Sequence, residues 1–168
     1  MPTTQEYWLS GPIPDVPVLL QPAAHALLQS VREVKAYLEG FPEEKLWENP
    51  FGCASVGFHL RHITGVLDRM LTYADSNTLT EEQFDFLKNE GNGNHATSSQ
   101  ELINSFEAKV NKALEYFKNT SESILTEERF VGRKKLPSTV TGLLFHAAEH
   151  SQRHVGQLLV TVSALKNQ

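Results

Sequence analysis

The chain has 168 residues, 40% of them hydrophobic and 21% charged, which is enough for one domain with a core of its own. Its formal net charge of -5 at pH 7 argues against a broad phosphate-binding surface, so nucleic acid is not expected as a partner. No apolar stretch approaches the roughly 18 residues that a membrane span needs, and the first residues lack a signal-peptide pattern. The single cysteine, Cys53, excludes an internal disulfide. We therefore expect a soluble, cytoplasmic protein without a membrane partner.

Four prolines near the N-terminus predict an irregular arm over residues 1–21 rather than a helix. Two large apolar side chains of this arm, Trp8 and Leu9, are expected to pack onto the body of the protein. From residue 22 onward apolar residues recur at helical spacing, and Gly40 predicts the end of this first long helix. We interpret residues 22–168 as a single domain.

Capping residues predict where two further helices begin. Ser55 is expected as the N-cap of a second long helix over residues 56–74. The segment TEEQFDFLKNE predicts a short extra helix, with Thr80 as its cap and Gln83 completing a capping box. The Gly- and Asn-rich stretch that follows predicts a surface loop, in which His95 is expected to be solvated.

A third and a fourth long helix complete the predicted set. The third is expected to begin after Ser98 or Ser99, and the fourth after Ser138 or Thr139, running to about Leu165. Alternating strand patterns are essentially absent, apart from a short extended piece in the connection near residues 130–131. Four long amphipathic helices predict an all-α fold, a four-helix bundle with the Pro-rich arm and one short extra helix between its second and third helices.

Three of the seven histidines, His146, His150 and His154, stand four residues apart in the predicted last helix. Each four-residue step turns only ~40° about the helix axis, so the three side chains form one winding row. Neighbouring imidazoles at i and i+4 can chelate one metal ion. The whole row spans ~12 Å, which is too long for one ion to bind all three.

A pair of histidines on one helix needs a further ligand from another element. The second long helix offers His59 and His62, three residues apart. One of them with two from the last helix would form a three-histidine site, with a coordination position left for water or substrate. Imidazole ligands suit zinc, nickel, iron or copper. The alternative from spacing alone is a set of histidines that are hydrogen-bonded in the core or solvated.

The segments SVGFHLRHITGVLDRML and EHSQRHVGQLL resemble the DinB-like superfamily of metal-binding four-helix bundles, which includes bacterial thiol S-transferases. The resemblance extends over the chain from about residue 22. It implies that His62, within HLRHI, is the metal ligand of the second long helix. It also implies that His150 and His154, in an HxxxHxGQ-like motif, are the two ligands of the last helix.

Other side chains are candidates for lining this site or for holding its ligands in place. His59 and His146 each lie one helical turn before an implied ligand. Glu149 is adjacent to a ligand in sequence but points ~100° away from it. Arg69 returns to nearly the same helix face two turns after the ligand of its helix, where it could steady an anionic substrate. A surface ion pair is the alternative role for this arginine.

The resemblance implies one divalent transition metal ion, such as zinc, nickel or iron, and a metal-dependent thiol S-transferase. Such an enzyme would activate a low-molecular-weight thiol for attack on an electrophile, and these two small molecules would be its partners. The alternatives are a metal-dependent hydrolase, or a non-enzymatic binding or structural module with a vestigial metal site. No catalytic residue is assigned. The resemblance also favours a homodimer.

Overall fold

The computed structural model describes residues 5–93 and 96–167 of the chain. These residues form five α-helices: α1 (Gln21–Tyr37), α2 (Val56–Ala74), α3 (Glu81–Asn89), α4 (Ser99–Lys118) and α5 (Val140–Lys166). Two short strands, β1 (Glu128–Val131) and β2 (Leu136–Thr139), pair antiparallel between α4 and α5. The fold is thus mostly helical with one small sheet. His95 lies outside the described residues, so its solvation stays a prediction.

The four long helices pack pairwise, with α1 and α2 each in contact with both α4 and α5. Their apolar faces meet in one core. Its fully buried side chains include Leu27, Leu60, Ile63, Phe106, Phe117, Leu144 and Leu158. Contacts between His59 and His154, and between His62 and His150, show that α2 and α5 run antiparallel.

Side-chain caps determine where several helices begin, as the sequence predicts. The hydroxyl of Ser55 accepts a hydrogen bond from the backbone N–H of Phe58 at the start of α2. Thr80 and Gln83 form the predicted capping box at the start of α3. Thr139 accepts a hydrogen bond from a backbone N–H of α5, so its side chain ends β2 and begins the helix. The predicted short extra helix is therefore confirmed.

The structure has a β-hairpin between α4 and α5. The sequence predicts only a short extended piece there, around Phe130 and Val131. Its strands have four residues each, and Glu128 pairs with Thr139 while Val131 pairs with Leu136. Phe130 and Leu136 are exposed, so neither strand shows a clear alternation of buried and exposed apolar residues. Because pairing of two such short strands depends on local hydrogen bonds, the sequence pattern does not reveal it.

The N-terminal arm packs through different residues than expected. It contains two single 3-10 turns, Tyr7–Leu9 and Val18–Leu20. Trp8 and Leu9 are exposed, so the expectation that they pack onto the body is wrong; Val16 and Leu20 are buried instead. The Trp8 indole N–H donates to the carboxylate of Glu6, two residues away, so its polar group has a partner within the exposed arm.

None of the helices in the described part of the chain is long and apolar enough to cross a membrane.

Two phenylalanines allow the contribution of the core to be measured with the same substitution. Phe106 is fully buried in α4, whereas Phe145 on α5 is 61% exposed. Phe106→Ala should lower the free energy of unfolding by about 3–5 kcal/mol, because it removes a ring and leaves a cavity. Phe145→Ala should change it by less than about 0.5 kcal/mol. Denaturant titrations of the two variants check this, and similar losses would contradict the assigned core.

Candidate metal centre

The histidines of α2 and α5 face each other across the contact between these two helices. His62 on α2 and His150 on α5 approach within 2.9 Å, measured between their Nε2 atoms. The ring of His154 lies 4.5 Å from that of His62 and 4.6 Å from that of His150, between centroids. Antiparallel packing therefore brings the imidazole of His62 to those of His150 and His154, which lie 88 or more residues later in the chain.

These three residues present nitrogen atoms that all lie within 4.8 Å of one another, and all three side chains are half-buried. Nitrogens bound to one zinc ion at about 2.0–2.1 Å lie roughly 3–3.5 Å apart in a tetrahedral arrangement. The nitrogens of His62 and His150, 2.9 Å apart, are close to that spacing, and the third histidine has a nitrogen within 4.8 Å of both. The structure thus brings His62, His150 and His154 together as the sequence analysis predicts, in a geometry that could hold an ion.

A buried carboxylate, that of Glu90, lies behind His62. Its Oε2 atom is 2.7 Å from Nδ1 of His62, and its Oε1 atom accepts a 2.7 Å bond from Nη1 of Arg69. Glu90 is only 3% exposed and is the C-cap residue of α3. Arg69 is buried as well, so the interpretation as a surface ion pair is wrong, and its guanidinium is bound to a protein carboxylate.

Sequence reasoning missed Glu90 because the residue lies 28 positions after His62 and belongs to no recognisable ligand motif. Its only signal in the sequence is its position at the end of the predicted short helix. Phe58 was missed as well. Its ring stacks on that of His62 with centroids 5.1 Å apart and planes 15° from parallel, four residues earlier on the same helix face.

The two remaining histidines lie at opposite ends of the cluster. His59 is buried, and its Nδ1 atom is 3.0 Å from Nδ1 of His154. His146 is more exposed, with 44% of its side chain accessible, and its Nδ1 atom is 2.7 Å from a carboxylate oxygen of Glu149. Glu149 also binds Arg153 through both of its oxygens. Each candidate therefore contacts the cluster or a residue next to it.

A second group with ligand-like spacing overlaps the first. Potential ligand atoms of His146, Glu149 and His150 also lie within 4.8 Å of one another. His150 belongs to both groups, and the carboxylate of Glu149 is already bound to Arg153. The group of three histidines has no such competing cation on its nitrogens, so it is the better candidate for an ion.

The environment favours the neutral form of three imidazoles, those of His59, His150 and His154. Burial, with a contribution from the nearby His62, lowers the pKa of His59 to about 4. The same two causes, followed by other neighbouring charges, lower the pKa of His150 to about 4 and that of His154 to about 3. Neutral imidazole is the form that binds transition metals. At neutral pH these side chains are thus ready to act as ligands.

The donor set fits a transition metal ion. All three nitrogens belong to imidazoles, which suit zinc, nickel and iron, and no carboxylate enters the group of three. Among the described residues, Nδ1 of His150 and Nε1 of Trp47 are the buried side-chain nitrogens without a hydrogen-bond partner. A buried nitrogen without a partner is costly, and one of these two belongs to His150, a member of the group of three.

The depressed pKa values predict how stability depends on pH in the metal-free protein. Unfolded histidine titrates near 6.5, so below that pH the unfolded chain takes up protons that the folded chain accepts only near pH 4 or lower. The free energy of unfolding should therefore fall as pH decreases from about 7 to about 4. His59→Gln should make this decline shallower, because one titrating group is removed. Denaturant titrations in the presence of a chelator measure both slopes, and equal slopes would contradict the assignment for His59.

Comparison with known proteins agrees with this geometry. No curated protein matches the chain significantly. A family model described as the DinB superfamily matches residues 23–158, from the first turn of α1 to the last third of α5. The matched region covers most of the chain and contains His62, His150 and His154. The chain therefore belongs to the DinB superfamily.

Proposed function

We propose that this protein binds one divalent transition metal ion, zinc, nickel or iron, through His62, His150 and His154. The observation that carries the proposal is the convergence of three imidazoles from α2 and α5, with ligand atoms within 4.8 Å of one another. The low pKa values of His150 and His154 support it, since both rings are neutral at physiological pH. Membership of the DinB superfamily supports it independently.

The reaction we propose is thiol S-transfer, in which a low-molecular-weight thiol attacks an electrophile. His62, His150 and His154 would hold such an ion, and the ion would supply the positive charge that lowers the pKa of a bound thiol. The three histidines are half-buried rather than fully enclosed, so a small molecule could reach them. The resemblance of the two histidine-containing segments to those of bacterial thiol S-transferases favours a thiol over other ligands.

The chain offers a proton acceptor beside the site. Nδ1 of His146 donates to Glu149, so in this tautomer Nε2 of His146 carries a lone pair. The ring of His146 lies 5.0 Å from that of His150 between centroids. We propose that Nε2 of His146 accepts the proton that an incoming thiol releases, while Glu149 stabilises the resulting charge on the ring.

The same pair of residues favours a second candidate, a metal-dependent hydrolase. A histidine oriented by a carboxylate can accept a proton from water as well as from a thiol. A non-enzymatic module with a vestigial metal site is a third outcome that the experiments below distinguish.

We further propose that α1, α2, α4 and α5 form a four-helix bundle within one domain over residues 22–168, because α1 and α2 each contact both α4 and α5. The expected homodimer stays a prediction.

Metal content tests the first part of the proposal. Untagged protein should contain about one transition metal ion per chain, measured by elemental analysis after gel filtration. His62→Ala and His150→Ala should each lose most of this metal, because two imidazoles hold an ion far less tightly than three. His25→Ala is the matched control, since His25 binds the Gly11 carbonyl outside the cluster and its loss should leave the metal content unchanged. Wild-type protein that binds no added metal would exclude the proposal.

A thiol panel separates the candidate reactions. Protein loaded with metal should form conjugates between a small thiol and a generic electrophile, and His146→Gln should lower this rate by about 10²–10⁴-fold if His146 acts as a general base. Product formation from ester or amide substrates without any thiol would favour the hydrolase instead. Metal-loaded protein that is inactive in both assays would favour a non-enzymatic module.

A further inference from the structure

We propose that Glu90 is a positioning residue for His62, that Arg69 holds its carboxylate, and that Gly65 provides the space for both. In this arrangement Glu90 selects the tautomer of His62 whose Nε2 lone pair faces the other ligands. The inference rests on the proposed function, because it assigns a role in metal binding to residues that do not touch the ion.

The hydrogen bond between His62 and Glu90 determines where the imidazole carries its proton. A neutral imidazole has one N–H, and the carboxylate oxygen 2.7 Å from Nδ1 of His62 can only accept a hydrogen bond. In the neutral form of His62, the single ring proton therefore resides on Nδ1. Nε2, which lies 2.9 Å from Nε2 of His150, keeps its lone pair. In the opposite tautomer, a lone pair on Nδ1 would face the carboxylate, which is repulsive.

Arg69 makes it possible to bury the carboxylate of Glu90. The side chain of Glu90 is 4% exposed and that of Arg69 is 8% exposed, so neither charge is solvated by bulk water. A buried carboxylate without a cation would be strongly unfavourable. The two oxygens of Glu90 have separate donors, because Oε1 binds Arg69 and Oε2 binds His62. Arg69 thus fixes the orientation of the carboxylate without competing for the oxygen that His62 uses.

Gly65 leaves room for the ion pair, which lies directly against the surface of α2. A Cβ atom at this position would be 2.5 Å from Oε1 of Glu90 and 2.7 Å from Nη1 of Arg69. The Phe86 ring would lie 2.7 Å from the same atom. Glycine in the interior of a helix is less stable than alanine. Its presence here is explained by the space that the ion pair occupies.

The three residues of α2 lie on one helix face. His62, Gly65 and Arg69 are at positions i, i+3 and i+7, which align along a helix. Glu90 reaches this face from the C-terminal end of α3. α3 is anchored to α2 by Gln83, whose amide donates to Asp68 and Thr72. The short helix α3 therefore places the carboxylate of Glu90 beside His62, a proposed metal ligand.

The tautomer can be measured without any metal. Long-range ¹H–¹⁵N NMR of the metal-free protein distinguishes a protonated Nδ1 from a protonated Nε2 on His62. We expect Nδ1–H in the wild type, and a mixture or a reversal in Glu90→Gln, whose amide can no longer accept from His62 and Arg69 at the same time. Glu107→Gln is the matched control, because it removes the same charge from an exposed ion pair with Lys35. An unchanged His62 tautomer in Glu90→Gln would overturn the inference.

Metal affinity gives the second readout, from titration of the stripped proteins with zinc. Glu90→Gln should weaken binding by about 10–100-fold, the range typical of residues that orient metal ligands. Glu107→Gln should leave the affinity within about twofold of the wild type, as expected for an exposed pair. Equal affinities of the two variants, in folded proteins, would overturn the inference.

Gly65→Ala keeps the proposal testable if Glu90→Gln does not fold. This substitution retains every charge and every ligand, and in an unobstructed helix it would be stabilising. We expect it to weaken zinc binding because the methyl group displaces the ion pair from His62. Folding is checked by circular dichroism, and wild-type affinity in folded Gly65→Ala would count against the role of the pair. A wild-type protein that binds none of zinc, nickel and iron would refute the proposed function alone, since the tautomer measurement needs no metal.

Discussion

The antiparallel packing of α2 against α5 is the contact on which the rest of the site depends. It places His62 opposite His150 and His59 opposite His154, so that histidines of two distant segments form one continuous cluster. Leu60, which follows His59 on α2, is fully buried. Apolar burial along these two helices thus supplies the energy that holds several imidazoles close together. A polar cluster of this kind would not assemble by its own interactions.

Burial of the imidazoles lowers the pKa values of several of them, and neighbouring residues balance the charge that is buried with them. Burial lowers the pKa values of His59, His150 and His154, which keeps these rings uncharged beside one another. Behind His62, the carboxylate of Glu90 is balanced by Arg69, and the packing of both against α2 is possible because residue 65 is glycine. The charges of Glu90 and Arg69 are therefore paired.

Exposure differs along the cluster and suggests how a substrate would reach it. His59 is buried at one end, whereas His146 is substantially exposed at the other. A small molecule would thus approach from the side of His146 and Glu149, where we propose that a proton is accepted. On the buried side, His59 contacts His154 and Glu90 contacts His62. In the proposed function, the exposed side would carry the chemistry and the buried side would orient the ligands.

Helix boundaries follow from local chemistry, which is why the sequence alone predicts them. Caps at Ser55, Thr80 and Thr139 act within one helical turn, and helical periodicity identifies the buried faces. The same periodicity places His150 and His154 on one face of one helix, and the resemblance to the superfamily singles out His62 as their companion. The short hairpin and the exposure of Trp8 escape prediction, because both depend on a few local hydrogen bonds without a distinctive pattern.

Only the tertiary structure decides what surrounds the three histidines. The sequence contains no sign that Glu90 meets His62, that Arg69 is buried, or that His59 contacts His154. Each of these contacts joins residues that are brought together by packing of separate helices, and their spacing along the chain is unrelated to their distance in space. Periodicity specifies which face of a helix is buried; it does not specify which neighbour that face meets.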